Sequence, residues 1–293
     1  MVGCVCKRMG NRMNMDDITL IIPIRIDHQS RMANTISSVD YHTSRGYKLM
    51  IQECDTTPKV KEYIDNHPNR DKITYTFVQS TDSLFYRTRH LNDMLLQVST
   101  KYTVCFDIDM IMTPKTTFKS IARLDAGADM VLPYAYGCHM LGVSKSGSSK
   151  FRSTLDENSL PPSWRIFKNL VPYSDAWGQS DEYNCGAVQF FKTSSYLLGG
   201  GENEFYVDYA PEDKERIHRF LRLGYRVEFL DNCAGIWHLN HDSSSQNHKK
   251  LTDNRMRYLF DLGKSKEEYA EYIKTFPRYQ EMQSKYARLT SGG

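Results

Sequence analysis

The chain has 293 residues, of which 40% are hydrophobic and 25% are charged. This length and composition fit one large domain, or one domain with an appendage, built around a substantial core. The formal net charge is only +3, and no basic run is interleaved with aromatic residues. The sequence therefore argues against a nucleic-acid-binding protein.

Short apolar runs alternate with helical segments along the chain. The predicted strands are Ile18–Ile22, Tyr47–Gln52, Ile73–Val78, Tyr102–Phe106, Asp129–Pro133, Ala187–Phe191 and, as the final strand, Arg226–Leu230. The predicted helices are Arg31–Tyr41, Pro58–Asn66, Leu84–Val98, Pro114–Leu124 and Pro211–Leu223. We expect Pro23 to stop the first strand. This alternation predicts an α/β fold with a mostly parallel central sheet flanked by helices.

Two regions depart from this alternation. Residues 137–183 lack clear periodicity, and a stretch of this length without regular structure is typical of a loop that covers an active site. Residues 246–293 predict a C-terminal helical extension of two helices, rich in Tyr and Phe. Its aromatic residues are compatible with packing on the domain, with a partner or with a membrane surface.

The cysteine pattern and the length of the apolar runs indicate where in the cell the protein is expected. Seven cysteines form no CxxC pair, which argues against structural zinc and favours a reducing, cytoplasmic setting. We expect Cys54 and Cys105, in or beside strands, to be buried free thiols. No apolar run approaches the roughly 18–20 residues of a membrane span. Residues 1–16 lack the apolar core of a signal peptide, so we expect a flexible leader.

Acidic residues follow the strand Tyr102–Phe106 directly. Asp107 and Asp109 would be costly in an apolar core, so they are expected at the carboxyl end of the strand, where open α/β sheets bind ligands. Two carboxylates one residue apart can hold a divalent cation beside the phosphates of a substrate. The sequence therefore predicts a metal and phosphate site here.

Other chemistry-bearing residues lie near predicted strand ends or helix starts. Arg25, with Pro23, ends the first strand, and a planar guanidinium suits oxyanions and bases. Glu53 and Asp55 end the second strand and are candidates for contact with a nucleoside. His238 and His241 follow the predicted final strand at a spacing that can converge on one metal.

Glu212 and Asp213 begin a predicted helix immediately after Pro211. Acidic side chains at a helix N-terminus can serve only to complement its dipole. One carboxylate at such a position can also accept the proton of an attacking hydroxyl group.

Five segments together resemble the GT-A glycosyltransferases, especially the β-1,4-galactosyltransferase-like group and bacterial chondroitin-polymerase-type domains. The segments, in chain order, are Ile22-Pro23-Ile24-Arg25, residues 85–92 (FYRTRHLN), Phe106-Asp107-Ile108-Asp109, residues 199–205 (GGGENEF) with Pro211-Glu212-Asp213, and residues 237–241 (WHLNH). The resemblance covers residues 17–245. It implies a GT-A type, Rossmann-like fold and an inverting transfer from a UDP-sugar, dependent on Mn²⁺ or Mg²⁺.

The resemblance also implies roles for single residues. Arg87 and Asn92 match the segment that contacts the nucleotide diphosphate. Asp109 binds the metal, and His241, His238 or both supply the remaining protein ligands. Asp107 supports the ribose or the water shell of the metal.

On the acceptor side, the resemblance makes Asp213 the base and gives Glu212 a role in holding the acceptor. Here the chain departs from the pattern, since Val207-Asp208-Tyr209-Ala210 replaces the usual Trp-Gly-Trp-Gly. The donor sugar, a hexose or an N-acetylhexosamine, stays open, as does the glycan or glycolipid acceptor. Surface polysaccharide synthesis is the expected context.

Two other functions remain. A nucleotidyltransferase of related fold would carry a Gly-rich basic loop after the first strand, and the segment Ile24-Arg25-Ile26-Asp27-His28 is not of that kind. A non-catalytic carbohydrate-binding or nucleotide-sugar-binding protein would have no need of the aspartates, the acidic pair and the two histidines together.

Overall fold

The central element of the fold is a seven-stranded, mostly parallel sheet. The computed structural model describes residues 14–133, 141–143, 151–152, 170–172, 186–230, 235–242 and 249–291. Strand order in the sheet is β10-β6-β9-β4-β1-β2-β3, and β9 alone runs antiparallel to its neighbours β4 and β6. The predicted α/β architecture with a mostly parallel sheet is confirmed.

The described elements follow the predicted order. The strands are β1 Ile18–Ile24, β2 Lys48–Asp55, β3 Ile73–Gln79, β4 Tyr102–Phe106, β5 Met110–Met112, β6 Met130–Leu132, β7 Leu141–Val143, β8 Leu170–Pro172, β9 Val188–Lys192, β10 Val227–Phe229 and β11 Ile236–Leu239. The helices are α1 Gln29–Ser44, α2 Lys61–Asp65, α3 Arg87–Leu95, α4 Pro114–Asp125, α5 Thr193–Leu198, α6 Glu212–Leu223, α7 Leu251–Leu262, α8 Lys266–Tyr272 and α9 Tyr279–Ser291. In the part of the chain that the structure describes, short 3₁₀ turns lie at Met15–Asp17, Arg70–Lys72 and Ile273–Thr275.

Strands β1 and β4 form the middle of the core, and every residue of both is buried. Near-continuous apolar sequences are what a parallel strand covered on both faces requires. The expectation that Pro23 stops β1 is wrong, because β1 continues to Ile24. Pro23 is tolerated since the ladder with β4 ends at Ile21, and only β2 pairs beyond that point.

A second sheet, which the sequence did not predict, contains four short strands in the order β5-β11-β7-β8. The expectation that Arg226–Leu230 is the final strand is therefore wrong, since β11 follows it. Strands of three or four residues carry too little periodicity to be read from sequence. Strands β7 and β8 fall within the predicted loop at 137–183, and nearly all of the rest of that loop lies outside the described residues. The predicted leader also lies outside the described residues, up to residue 13.

Buried arginines fix helix α6 to the glycine-rich segment before it. Arg216 and Arg219 are almost inaccessible to solvent. Arg216 bonds Glu202 and Gln189, and Arg219 pairs with Glu215 at 2.9 Å and donates to the carbonyl of Gly201 at 2.8 Å. Buried charges are tolerated only when they are paired and hydrogen-bonded, so this network holds the segment in one arrangement.

Within residues 249–291, the described part of the C-terminal region, there are three α-helices, where two were predicted. Phe276 ends the 3₁₀ turn after α8 in an extended conformation, and the following Pro277 lies between that turn and α9. Lys285 of α9 donates to the carbonyl of Leu96 at 2.7 Å, and Arg278 pairs with Asp93 at 2.8 Å. Helix α9 therefore packs on α3 and α5, whereas α7 and α8 pack on α6. Among the described helices, none combines the length and apolarity needed to cross a bilayer.

We predict that Gly235→Ala destabilises the protein, because Gly235 precedes β11 with φ +110° and an added Cβ would collide with the hydroxyl of Thr116. The expected loss is about 2–4 kcal/mol of unfolding free energy, from backbone strain and overpacking. Thermal and urea unfolding measure it. The matched control is Gly263→Ala, at a helical φ of −74° with room for a methyl group. Equal stability of the two variants would contradict this role of Gly235.

Candidate active site

The turn after β4 presents Asp107 and Asp109. The amide of Asp107 donates to the carbonyl of Ala187 at 2.8 Å, and the amide of Met110 donates to the carbonyl of Asp107 at 3.0 Å. This tight turn places the two carboxylates at the carboxyl end of β4, as the sequence predicted. Asp109 is 5% exposed, whereas the side chain of Asp107 is about one-third exposed, at 36%.

Three predicted metal ligands converge at one point. One ligand atom from each of Asp109, His238 and His241 lies within 4.8 Å of the other two. Nε2 of His241 is 2.8 Å from Oδ2 of Asp109, and Nε2 of His238 is 3.7 Å from the same oxygen. A carboxylate with two imidazoles is a donor set that suits divalent transition metals such as Mn²⁺.

Strand pairing explains this convergence. His238 lies within β11, not after the last strand as expected, and pairs in register with Met110 of β5. The amide of Leu239 also donates to the carbonyl of Asp109 at 2.8 Å. The second sheet thus attaches the histidine segment to the aspartate turn, which no spacing rule in the sequence predicted.

Both histidines are oriented through their other ring nitrogen. Nδ1 of His238 lies 3.0 Å from Oδ1 of Asn240, and Nδ1 of His241 lies 2.9 Å from the carbonyl of Asp242. When each Nδ1 donates to its oxygen, each Nε2 is unprotonated and faces Asp109. In that tautomer an Nε2 and a carboxylate oxygen 2.8 Å apart would repel, and a divalent cation between them removes this repulsion. The donor set of the three residues fits a metal ion in that tautomer, in which the Arg31 Nη2 near Nδ1 of His241 is a contact and not a hydrogen bond.

The charges of this cluster reinforce one another. Burial raises the pKa of Asp109, but the two imidazoles outweigh burial and hold that pKa well below its usual range. Burial lowers the pKa of His238, yet Asp109, with Asn240 and Asp107, raises it above its ordinary value.

Arg31 of α1 is a residue of the site that sequence reasoning missed. Its Nη1 lies 3.8 Å from Oδ2 of Asp109, its Nη2 lies 3.3 Å from Nδ1 of His241, and its Nε donates to Asp27 at 2.9 Å. The sequence shows only an arginine in the first turn of a helix, and nothing local distinguishes it from a surface residue.

Arg87 joins the aspartate turn to helix α6. Its Nη2 donates to Oδ1 of Asp107 at 2.7 Å, and its Nη1 donates to Oε1 of Glu212 at 3.3 Å. Burial lowers the pKa of Arg87, but Asp107 and Glu212 raise it above its ordinary value, so the guanidinium stays charged. The predicted nucleotide-binding arginine thus connects a predicted donor-site carboxylate with a predicted acceptor-site carboxylate.

Asp213 occupies a tight position beside the strand β9. Its Oδ1 accepts the amide of Lys214 at 2.9 Å. A Cβ at Gly186 would lie 2.5 Å from its Oδ2, so glycine is required there for the carboxylate to keep this place. The acidic pair is therefore held between α6, β9 and Arg87.

Glu212 is buried, unlike a carboxylate that merely complements a helix dipole at the surface. Burial and the neighbouring Asp213 raise the pKa of Glu212 to about 7, while Arg87 and Arg216 oppose this increase. At neutral pH the Glu212 carboxyl is near half protonation, which is the range used in acid–base chemistry.

The predicted nucleoside residues lie at the ends of β1 and β2. Arg25 donates to the carbonyl of Cys54 at 3.0 Å and lies 5.3 Å from the ring centre of Phe85. Asp55 accepts the amide of Ile26 at 3.3 Å and pairs with Lys59 at 2.8 Å. The ends of β1 and β2 and the segment before α3 are therefore linked to one another. Pro23 is enclosed within β1, one residue before the strand's final residue.

The side-chain polar atoms of two other predicted residues are hydrogen-bonded to groups of the protein. Glu53 is inaccessible to solvent and accepts the amide of Lys59 at 2.8 Å and the hydroxyl of Tyr75 at 2.5 Å. The amide group of Asn92 accepts from the Glu202 amide at 2.7 Å and donates to Glu204 at 2.8 Å. Both side chains therefore hold neighbouring segments in place.

Helix α7 supports residues 206–210, the segment between the glycine-rich run and α6, through hydrogen bonds. Asn254 donates to the carbonyl of Val207 at 2.7 Å and to that of Tyr209 at 3.3 Å. Asp208 and Ala210 have φ values of +70° and +41°, a rare conformation for residues with a Cβ that is often found at functional sites. Tyr209 is 39% exposed, so its ring is accessible to a ligand.

We predict that the pH dependence of stability changes in Glu212→Gln. Because the folded-state pKa of Glu212 is raised from 4.5 to about 7, its contribution to stability is complete below pH 4.5 and is lost as the pH rises through 7. Urea unfolding of wild type and variant over this range should show wild type losing about 1–3 kcal/mol relative to the variant. A difference that stays constant with pH would contradict the raised pKa.

Comparisons with known proteins agree with this architecture. No protein-family profile and no curated protein sequence matches the chain. Among solved structures, residues 1–349 of TarS from S. aureus in complex with UDP-GlcNAc match with a TM-score of 0.52 and 14% identity, over 93% of this chain and 79% of that one. The same TarS fragment in complex with UDP matches with a TM-score of 0.52 and 14% identity, over 89% and 72%. The mannosyltransferase PcManGT from Pyrobaculum calidifontis, in complex with GDP-Man and Mn²⁺, matches with a TM-score of 0.49 and 14% identity, over 94% and 76%. The chain has a GT-A-like glycosyltransferase fold.

Proposed function

We propose that the protein is an inverting, divalent-metal-dependent glycosyltransferase that moves a hexose or N-acetylhexosamine from a UDP-sugar to a hydroxyl group of a glycan or glycolipid. The main support for the proposal is the pair of salt bridges that Arg87 makes with Asp107 and Glu212. They join the turn that carries the candidate metal ligand to the helix that carries the candidate base, so that both belong to one site. Fold alone would not support an activity.

The donor proposal has two supports. The TarS structures of this fold contain UDP-GlcNAc or UDP, which favours a uridine nucleotide. In this chain, Arg25, Asp55 and Lys59 gather at the ends of β1 and β2, at the carboxyl edge where such sheets bind nucleotides. We assign Arg25 and Arg87 to the nucleotide and its diphosphate, and Asp107 to the ribose or the metal's water shell.

The metal proposal rests on Asp109, His238 and His241, with Asn240 and Asp242 fixing the two imidazole rings. A bound Mn²⁺ or Mg²⁺ would supply positive charge to offset the charge that develops on the departing diphosphate. Arg31 lies beside the same ligands and can extend its guanidinium toward a phosphate oxygen, because this group suits oxyanions.

In the transfer step, Asp213 is the proposed base. Its carboxylate accepts the proton of the acceptor hydroxyl as the oxygen bonds to the anomeric carbon, while the bond from that carbon to the diphosphate breaks and UDP leaves with the bonding electrons. Attack from the face opposite the leaving group inverts the anomeric centre. Buried Glu212 is proposed to hold the acceptor hydroxyl, and exposed Tyr209 is placed to pack against a sugar face.

Glu53 and Asn92 receive revised roles in this proposal. Both were predicted to contact the nucleotide, but their polar atoms are bonded to protein groups. We propose that Glu53 fixes the segment before α2 and that Asn92 fixes the glycine-rich segment, so that both position the site without binding the donor.

The second candidate function is a non-catalytic protein that binds a nucleotide-sugar or glycan with the same fold. A binding protein has no need of a glycine at position 186 that makes room for the carboxylate of Asp213, and this detail favours catalysis. Sugar binding without metal-dependent turnover would favour the alternative.

The test is UDP release from a panel of UDP-sugars, in Mn²⁺ or in EDTA. We expect metal-dependent release that Asp109→Ala reduces to the EDTA level. Asp213→Asn should lower acceptor-stimulated transfer about 10²–10⁴-fold, since it removes the base without changing the shape of the side chain.

The control for these two variants is Asp253→Asn, which alters an exposed carboxylate on α7 that pairs with Lys250 at 3.1 Å. It should behave as wild type. Release that continues unchanged in EDTA, or in Asp109→Ala, would contradict the metal-dependent mechanism. Absence of release from every UDP-sugar would favour another nucleotide donor or the binding function.

A further inference from the structure

Helix α7 exposes an apolar face that nothing in the proposed transfer reaction requires. Met256, Leu259 and Phe260 are 64%, 61% and 73% exposed, which makes them the three most exposed large apolar side chains among the described residues. Single exposed apolar residues are normal on protein surfaces, but three on one helix are a patch that normally marks an interaction site. We call these three residues the α7 apolar face.

The spacing of the three residues places them on one side of the helix. Positions 256, 259 and 260 are related by three and four residues, so their side chains are neighbours along the same stripe. Asn254 and Asp261, which are buried, lie on the opposite side. Helix α7 is therefore amphipathic in an unusual sense, with a polar, hydrogen-bonded inner side and an apolar outer side.

Basic residues flank the apolar face. Arg255 lies along one edge of the stripe, and Arg257 lies along the other. Lys264, with its Nζ 3.8 Å from the ring centre of Phe260, is only 11% exposed and pairs with Asp261 at 2.6 Å, so its charge is already neutralised within the protein. Asp253 is the exposed acid of the helix, and it pairs with Lys250. Glu267 and Glu268 belong to the first turn of α8, where both bond Ser265.

An apolar stripe with exposed arginines at its edges matches the chemistry of an anionic lipid surface. Apolar side chains enter the boundary between headgroups and acyl chains, while long basic side chains remain with the anionic headgroups. We propose that α7 docks the protein on an anionic lipid bilayer through the α7 apolar face and its basic edges.

The inner side of the same helix gives this docking a consequence. Asn254 holds the carbonyls of Val207 and Tyr209, and Asp261 accepts the hydroxyl of Tyr206 at 2.8 Å. Because these contacts lie across the helix from the apolar face, docking places residues 206–210 about 10 Å from the lipid surface, one helix diameter away. An acceptor anchored in the bilayer would meet the site at this distance. The docking itself goes beyond the proposed transfer and does not depend on it.

The test is flotation of the full chain with vesicles of phosphatidylcholine alone or of phosphatidylcholine mixed with phosphatidylglycerol. We expect binding to the anionic vesicles, weakened by salt. The double variant Leu259→Ser with Phe260→Ser should bind them at least about tenfold more weakly, since two large apolar side chains no longer enter the interface. Arg255→Glu should weaken binding to the anionic vesicles in the same direction.

The matched control is Phe118→Ser, which removes an apolar side chain that is 48% exposed on α4. It should float as wild type does, and thermal melting of all variants checks that they are folded. Wild type that stays unbound on anionic vesicles, or a double variant that floats equally well, would overturn the proposal. Light scattering that shows a wild-type dimer converted to monomer by the double variant would instead assign the face to a second copy of the chain. Because flotation needs no donor, its failure is distinguishable from failure of the transfer reaction.

Discussion

The salt bridge of Arg87 with Asp107 and Glu212 is the constraint on which the rest of the site depends. It joins the turn after β4, which leads to the candidate metal ligand Asp109, with the helix that carries Asp213. The guanidinium of Arg87 is only 17% exposed, so removing either carboxylate leaves a largely enclosed charge with half of its compensation. The two halves of the site are therefore held at a fixed separation before any substrate binds.

Regions outside the central sheet support this arrangement. The second sheet brings His238 beside Asp109, and the paired arginines of α6 fix the glycine-rich segment that Asn92 also holds. Helix α7 supports residues 206–210 through Asn254. Helix α7 is thus part of the architecture around residues 206–210, which we propose as the acceptor side.

Much of the fold could be predicted because strands such as β1 and β4 are apolar throughout and helices such as α4 begin with clear signals, here Pro114 after a Thr113 cap. The second sheet could not be predicted, since its strands are too short to show a period. Among site residues, Asp109 was identified by its place after a strand. The place of Arg31 in the site and the hydrogen bonds of the Asn92 side chain to protein groups could not be predicted. Both depend on tertiary contacts that leave no local pattern in the sequence.

In the proposed enzyme, a metal held at Asp109 and a nucleotide held beside Arg87 share one site. Calorimetric titration of UDP into the wild-type protein, once with Mn²⁺ and once with EDTA, tests this sharing. We expect UDP to bind at least about tenfold more tightly when Mn²⁺ is present, because the cation and the nucleotide phosphates attract each other within the site. Equal affinity in Mn²⁺ and EDTA would contradict a shared site.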